Sequence, residues 1–304
     1  MRILVTGATG VIGRRALPAL LAGGHEVTAV GRTQEKRTAL ERAGARAIAL
    51  DLFDRSAVHA AVAGQDAVVN LATAIPPASK AIRASAWRTN NRIRSEASVN
   101  LVDAAIAGGV SRFVQESFAP MYAGAGDAWI NEESPLDPAP HSRSMLDAEA
   151  SARRFAEAGR AGVILRFGFF YGADGSFAED TIKAVRRGLA PTVGRPDDYV
   201  ASIQHDDTGA AVVAALDVPA GAYNVVDDEP LRRREFYDAL SDALGVGRPK
   251  MPPAWIAGLA GSLGKTLGRS IRVSNRKFRE ATGWAPAYPS AREGWMAVAR
   301  AVRG

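Results

Sequence analysis

The residues with the clearest chemistry stand at the start of the chain. Gly7-Ala8-Thr9-Gly10-Val11-Ile12-Gly13 follows a short apolar run at 3–6 and opens a helical pattern. Each glycine has its own task. Gly7 permits a tight turn, Gly10 lets backbone approach a pyrophosphate, and Gly13 lets the helix pack close to the strand. The helix N-terminus adds unpaired N–H groups and a partial positive charge. Gly7, Thr9, Gly10, Val11, Ile12 and Gly13 are therefore candidate phosphate-binding residues. Strand, loop and helix in this order are the signature of a dinucleotide site.

The second expected strand ends in Val30-Gly31-Arg32-Thr33. Sites for NAD place an acid here to accept from the ribose 2′-hydroxyl. Arg32 stands there instead, and a guanidinium suits a 2′-phosphate. Arg14 and Arg15 are further candidates for that cluster. The expected cofactor is NADP(H), with NAD(H) the weaker alternative; the competing reading of Arg32 is a solvated surface side chain. Asp51-Leu52 follows the third strand. Asp51 reads either as a partner for the adenine amino group or as a turn or helix-capping residue. Asn70-Leu71-Ala72-Thr73 ends the fourth strand with small residues, so that backbone at Leu71 and Ala72 can pass close to the cofactor ribose.

Elements that could hold these residues alternate along the first two-thirds of the chain. Strands are expected at 3–6, 27–30, 47–50, 67–71, 112–115 and 162–166. Helices are expected at 12–22, 34–43, 56–63, 91–107 and 143–158. Continuous apolar strands separated by helices imply βαβ units and a parallel sheet. The expected fold class is α/β, a Rossmann-type doubly wound sheet with a smaller, mostly helical cap. Proline and glycine punctuate the last third, where helices fit 232–244, 254–267, 275–282 and 291–302. The division expected is 1–170 plus about 200–222 for the dinucleotide domain, and about 171–199 plus 223–304 for the cap.

Composition narrows the classes. The 304 residues are 47% hydrophobic and 23% charged, ordinary for a globular protein. No cysteine is present, which excludes disulfides, thiolate zinc sites and cysteine nucleophiles. The formal charge of +6 is spread among scattered arginines, with no basic tail or nucleic-acid motif, so no nucleic-acid partner is expected. The opening residues lack the apolar stretch of a signal peptide, and no run reaches the ~18 apolar residues of a membrane span. A cytoplasmic location and no membrane partner are expected. No His/Asp/Glu grouping has metal-ligand spacing, so no metal is expected.

Together these motifs resemble the extended short-chain dehydrogenase/reductase superfamily, in its NAD-dependent epimerase/dehydratase branch. The resemblance covers nearly the whole chain. It rests on the glycine loop, Asp51-Leu52, Asn70-Leu71-Ala72, Asn90 or Asn91, and Arg112-Phe113-Val114-Gln115-Glu116-Ser117. Leu165-Arg166-Phe167-Gly168, Tyr171-Gly172 and Ile203-Gln204-His205-Asp206-Asp207 complete it. The family carries a catalytic Ser/Thr, a Tyr acid/base, and a Lys four residues later that lowers the Tyr pKa. The resemblance places Phe118, His141 and Met145 at those positions. None of the six tyrosines has a lysine four residues on, so the dyad is missing and not displaced.

Four groups could act instead. His141 has an imidazole suited to proton transfer near neutral pH; its other reading is a residue at a helix start. Ser117 could bond a substrate carbonyl or merely close a strand. Tyr122 offers the next hydroxyl or shapes the pocket. Glu116 is a base or a loop cap. His205-Asp206-Asp207 is read as structural, with Asp207-Thr208 capping a helix.

Trp87, Trp129, Phe169, Phe170, Tyr171 and Phe177 favour an apolar or aromatic small-molecule substrate over a sugar nucleotide. Arg186, Arg187 and Arg195 are the cations a diphosphate would need. The expected function is an NADP(H)-dependent oxidoreductase acting on a small, apolar or aromatic carbonyl-type substrate with a non-standard proton donor. The alternatives are a non-redox isomerase, dehydratase or cyclase, and a non-catalytic NADP(H)-binding sensor. Family members often dimerise through two helices, here 91–107 and 143–158, so a homodimer is a further expectation.

Overall fold

The computed structural model describes residues 1–77, 80–81, 83–174, 176–259 and 261–303. β1 (Arg2–Thr6), β2 (Glu26–Val30), β3 (Arg46–Ile48), β4 (Ala67–Asn70) and β5 (Arg112–Phe118) alternate with α1 (Gly13–Ala22), α2 (Gln34–Arg42), α3 (Arg55–Val62), α4 (Arg88–Arg92) and α5 (Ser98–Ala107). A π-helical turn, Ile93–Ala97, joins α4 to α5. Then come β6 (Trp129–Ile130), α6 (Ser144–Glu157), β7 (Ala161–Phe167), β8 (Phe169–Tyr171), α7 (Ser176–Arg186), β9 (Tyr199–Val200), β10 (Ser202–Gln204), α8 (Asp207–Ala214) and β11 (Gly221–Val225). The chain continues through β12 (Leu231–Arg232), α9 (Arg233–Leu244), α10 (Ile256–Leu259), α11 (Gly261–Leu267), β13 (Arg272–Val273), α12 (Arg276–Thr282) and α13 (Ala291–Arg303).

Seven parallel strands form one sheet in the order β3-β2-β1-β4-β5-β7-β11. This is a Rossmann-like α/β fold. Strand order reverses between β1 and β4, and the crevice beyond their carboxyl ends is where open α/β sheets bind ligands. Apolar strand residues cover both faces. Leu17, Leu20, Val212, Leu216 and Phe278 pack one face beneath α1, α8 and α12. Val58, Leu101, Ala152 and Phe155 pack the other beneath α3, α5 and α6. A separate cluster of Ile182, Val185, Phe236, Leu240, Trp295 and Val298 gives α7, α9 and α13 their own core.

The elements expected for the first two-thirds are present, with ends displaced by a few residues. Elements outside the stated expectations include the short strands β6 and β8, the helix α7 and the strand β11. β11 pairs with β7 and lies inside the main sheet, so the division expected at 222 runs through a strand. Phe278 and Trp284, expected in the cap, pack into the sheet core. Asp207 does not cap α8; its carboxylate accepts the N–H groups of Ala287 at 2.6 Å and Tyr288 at 3.3 Å.

Just past β11, Asp227 ties the sheet to the cap. Its carboxylate accepts from Ser202 Oγ at 2.7 Å and Tyr171 OH at 3.3 Å. Burial pushes its pKa from 3.8 up to about 7. Between those values the folded state holds a proton that the unfolded chain has lost. Its contribution is therefore complete below the unfolded value and disappears as pH rises through the folded one. Asp227→Asn stays neutral and should flatten this slope. Thermal denaturation at about pH 5 and about pH 8 checks it: wild type should lose more stability across the interval than the variant, and parallel curves would contradict the assignment.

Candidate dinucleotide and substrate site

Gly7 turns out of β1 with φ +67°, and a Cβ there would collide with the carbonyl of Leu71 at the end of β4. That contact draws the loop against the crevice. Gly13 is closed from the other side, because a Cβ would meet the Gly7 carbonyl and the backbone of Ala8. Gly10 is different. Its N–H bonds the Gly7 carbonyl at 2.9 Å, and a Cβ would stand 3.2 Å from that oxygen, with no second group near it. The open side of the loop is thus at the middle glycine, followed by the unpaired N–H groups of a helix start. Val11 and Thr9 are half-buried beside it, and Ile12 is buried beneath. The cradle fits a pyrophosphate.

Arg32 is exposed immediately after β2. Arg37, which the sequence reading missed, reaches back to the same turn: its guanidinium donates to the Gly31 carbonyl at 3.1 Å and to Gln34 Oε1 at 2.7 Å. Arg14 and Arg15 do not join this cluster. Arg14 pairs with Asp174 at 2.9 Å; Arg15 pairs with Asp174 at 2.6 Å and Asp206 at 3.1 Å. Hydrogen bonding from Arg15 holds the Asp174 carboxyl far below the usual range. Asp51 is a turn residue: Oδ1 accepts the N–H of Phe53 at 3.0 Å. Asp54, not Asp51, caps α3. Leu52 is half-buried next to Asp51, and Ala72 is half-buried next to Leu71.

Beyond β5 and β7 the site is underlain by a buried polar network. Arg166 on β7 gives two hydrogen bonds of 2.8 Å to Glu149 on α6. Ser117 Oγ donates to the same carboxylate at 2.8 Å. Arg166 also donates to Tyr122 OH at 2.7 Å, and that hydroxyl donates to Asn224 Oδ1 at 2.8 Å. Burial alone would raise the Glu149 pKa, but Arg166, Ser117 and Arg153 hold it below the usual carboxylate value. Burial pushes Tyr122 up to about 12. Ser117 and Tyr122 are fully buried with both hydroxyls committed, so the geometry places them in support of the site. Glu116 is buried too, paired with Arg94 of the π-helical turn at 2.8 Å.

His141 sits half-buried just before α6. Its ring meets Trp87 with centroids 4.9 Å apart, and Nδ1 lies 3.2 Å from Ser262 Oγ on α11. Burial lowers its pKa. Met145, one helical turn on, is buried, and Phe118 packs against Phe169 with rings 5.7 Å apart. The structure therefore joins His141 to the cap through Ser262 and to the start of the α4 region through Trp87.

A pocket of about 320 Å³ lies between the sheet edge and the cap, large enough for a small molecule. Pro120 and Phe169 line its sheet side; Tyr199, Phe236, Tyr237 and Ile271 line the cap side. Of the aromatics expected in a cleft, Phe169 lines this pocket. Trp87 is buried under His141, Trp129 is exposed under Arg272, and Tyr171 is in the cap core. Phe170 packs on Phe167, and the Phe177 side chain lies outside the described residues. Arg186, Arg187 and Arg195 are exposed and line none of it. Among the described residues no three His, Asp or Glu side chains converge as metal ligands, and no helix is long and apolar enough to cross a membrane.

A family model, the NAD dependent epimerase/dehydratase family, matches residues 3–225. The chain belongs to this family. Within the epimerase/dehydratase family it is 34% identical to a 3-diazoavenalumate denitrifying reductase of Streptomyces, across 97% of this chain and 99% of that one. It is 27% identical to a 2-alkyl-3-oxoalkanoate reductase of Stenotrophomonas maltophilia, across 82% and 77% of the two chains. In fold it is similar to a human epimerase family protein crystallised with NADPH, with TM-score 0.81, 23% identity and 99% of each chain covered. The Streptomyces and Stenotrophomonas relatives are named reductases, and the family is described as NAD dependent.

The two outer glycines and the middle one make separable expectations. Gly7→Ala forces a left-handed φ on a Cβ that strikes Leu71, and should lower stability by about 1–3 kcal/mol. Gly10→Ala should leave the melting temperature near wild type while weakening dinucleotide binding in a fluorescence titration. Unaltered binding in Gly10→Ala would remove the loop from the site.

Proposed function

We propose that the protein is an NADPH-dependent reductase acting on a small, apolar or aromatic carbonyl-type substrate. The observation that carries this reading is the pairing of a phosphate cradle with an apolar pocket that begins at the same sheet edge. The names of the Streptomyces and Stenotrophomonas relatives, both reductases, support hydride chemistry over epimerisation. NADPH, when bound, supplies the hydride.

The chain's own residues hold and orient. Gly7 to Gly13 receive the pyrophosphate, and the backbone of Leu71 and Ala72 flanks the ribose. Arg32, immediately after Gly31, and Arg37, bonded to the Gly31 carbonyl, receive the 2′-phosphate. Phe118, Phe169 and Pro120 exclude water where the substrate meets the sheet edge, which strengthens electrostatic interactions inside. His141 is the proton donor on this reading. The acid form is the imidazolium, which gives one proton and becomes the neutral ring; because burial lowers its pKa, turnover that depends on it should fall as pH rises toward about 7 and above. Ser262 at Nδ1 is placed to fix the tautomer of that neutral ring. Met145, where the family has its lysine, adds no charge that would hold a neighbour deprotonated.

Two measurements test this. The double variant Arg32→Ala with Arg37→Ala should weaken NADPH binding about 10-fold or more and leave NADH nearly unchanged, since charge-assisted bonds contribute about 1.5–3 kcal/mol. Equal losses for both cofactors would remove the 2′-phosphate reading. Purified protein should consume NADPH absorbance against a panel of ketones, quinones and imines, and His141→Phe should slow that turnover about 100-fold or more. Product formation with unchanged cofactor absorbance would favour an isomerase or dehydratase. Dinucleotide binding without turnover of any panel member would favour a sensor.

A further inference from the structure

Two guanidiniums stand in the wall of the cap pocket, and they differ in one respect. Arg269 has a counter-charge, Asp137, at 2.5 Å. Arg233, at the start of α9, is in no ion pair among the described residues, and Asp198 acts on it only through space. Its side chain is buried, with the residue only 5% exposed. Nε donates to the Arg195 carbonyl at 3.3 Å, NH1 to Thr192 Oγ1 at 3.0 Å, and NH2 to the Arg269 carbonyl at 3.2 Å. All three acceptors are neutral. Among the described residues no carboxylate forms an ion pair with it.

A guanidinium carries five N–H donors and stays protonated in proteins. Three are used here, which leaves one on each terminal nitrogen. Taking such a charge out of water without a partner costs several kcal/mol, and burial correspondingly lowers the Arg233 pKa. Neutral acceptors satisfy its hydrogen bonds, and Asp198 offsets the burial only in part, since the net shift is still downward. The deficit falls in the wall of a pocket whose lining is mostly apolar, with Phe169, Tyr199, Phe236, Leu267 and Ile271 among it.

We propose that Arg233 is the seat for an anionic group, a carboxylate, on the substrate, so that the pocket selects small apolar or aromatic acids. This rests on the reductase reading and deepens it. The acid end docks in the cap at Arg233, and the apolar body extends past Tyr199 and Ile271 toward Phe169 and Pro120 at the sheet edge. Arg233 then acts by binding and orienting, with the reducible group placed at the far end. The three neutral hydrogen bonds hold the guanidinium plane fixed before the acid arrives, which lowers the cost of ordering it.

Cinnamate and cinnamamide test the idea, because they share shape and differ in charge. Calorimetric titration of the protein saturated with NADP⁺ reads binding without turnover. Wild type should bind the acid about 10-fold or more tightly than the amide, a difference of about 1.4 kcal/mol. Arg233→Met should bring the acid down to the amide's affinity while leaving amide and NADPH affinities near wild type. Arg233→Lys, which keeps the charge, should retain part of the preference. Equal wild-type affinity for the two ligands, binding of neither, or equal weakening of both in Arg233→Met would overturn the proposal; the last would mean that Arg233 only clips three loops together. The acid preference is independent of NADPH consumption. A protein that prefers cinnamate yet oxidises no NADPH would lose the reductase reading and keep this one.

Discussion

The ion pair between Glu149 and Arg166 is the constraint on which the site depends. It joins a helix to a central strand in a place where neither charge can reach water. Leaving either partner alone there would cost several kcal/mol, so the surroundings must complete it. Ser117 from β5 fills one position on the carboxylate, and Tyr122 and the Glu132 carbonyl take one nitrogen of the guanidinium. Tyr122 passes the chain of bonds to Asn224 on β11. Four elements are thereby held in one register. Glu149 is four residues beyond Met145, so the same helical face that enters this network presents Met145 one turn earlier. Fixing Glu149 fixes the rotation of α6, and with it the height at which His141 leaves the preceding turn.

The crevice at the other end follows from backbone and not from charge. Gly7 and Gly13 are pressed against Leu71, Ala8 and each other so closely that no side chain fits. Gly10 alone keeps an open side. That asymmetry was legible in the spacing of the three glycines, because tight turns and close packing are sequence-local demands. The parallel sheet was legible for a similar reason: strands covered on both faces read as continuous apolar runs. β11 was not. Its Ala222-Tyr223-Asn224 carries a polar residue that is buried only because Tyr122 and Ser274 meet it. Nothing near it in sequence announces those partners.

Side-chain roles were legible only where the partner is local. Asp51 bonding Phe53 is a turn that two neighbouring residues could suggest. Ser117 and Tyr122 looked like free hydroxyls because their partners lie 32 and 102 residues away. Arg14 and Arg15 looked available for a phosphate because their partners are remote in sequence, with Asp174 and Asp206 lying 159 and 191 residues from Arg15. Arg37 was hidden for the opposite reason. It lies one helical turn past Thr33, within a polar helix whose surface arginines carry no distinguishing pattern, and only its bond to Gly31 singles it out.

The buried arginines show how one residue type divides its work in this fold. Arg166 and Arg94 are each matched to a carboxylate of similar burial, Glu149 and Glu116, and hold elements together. Arg15 bridges two partly exposed aspartates at the edge of α1. Arg233 departs from both patterns, since it is as deeply placed as the first pair and has only carbonyls and a hydroxyl around it. A fold that pairs Arg166 and Arg94 directly with carboxylates has left Arg233, in a pocket wall, with no carboxylate in direct contact among the described residues and only Asp198 acting through space. With apolar Phe118 and Met145 at the other end, the site on the proposed reading fixes a substrate by its charged terminus and leaves the reacting end in a dry environment. Orientation would then do much of what a tyrosine–lysine pair does elsewhere, because holding the reacting groups close removes an entropic part of the barrier that no acid/base group could lower.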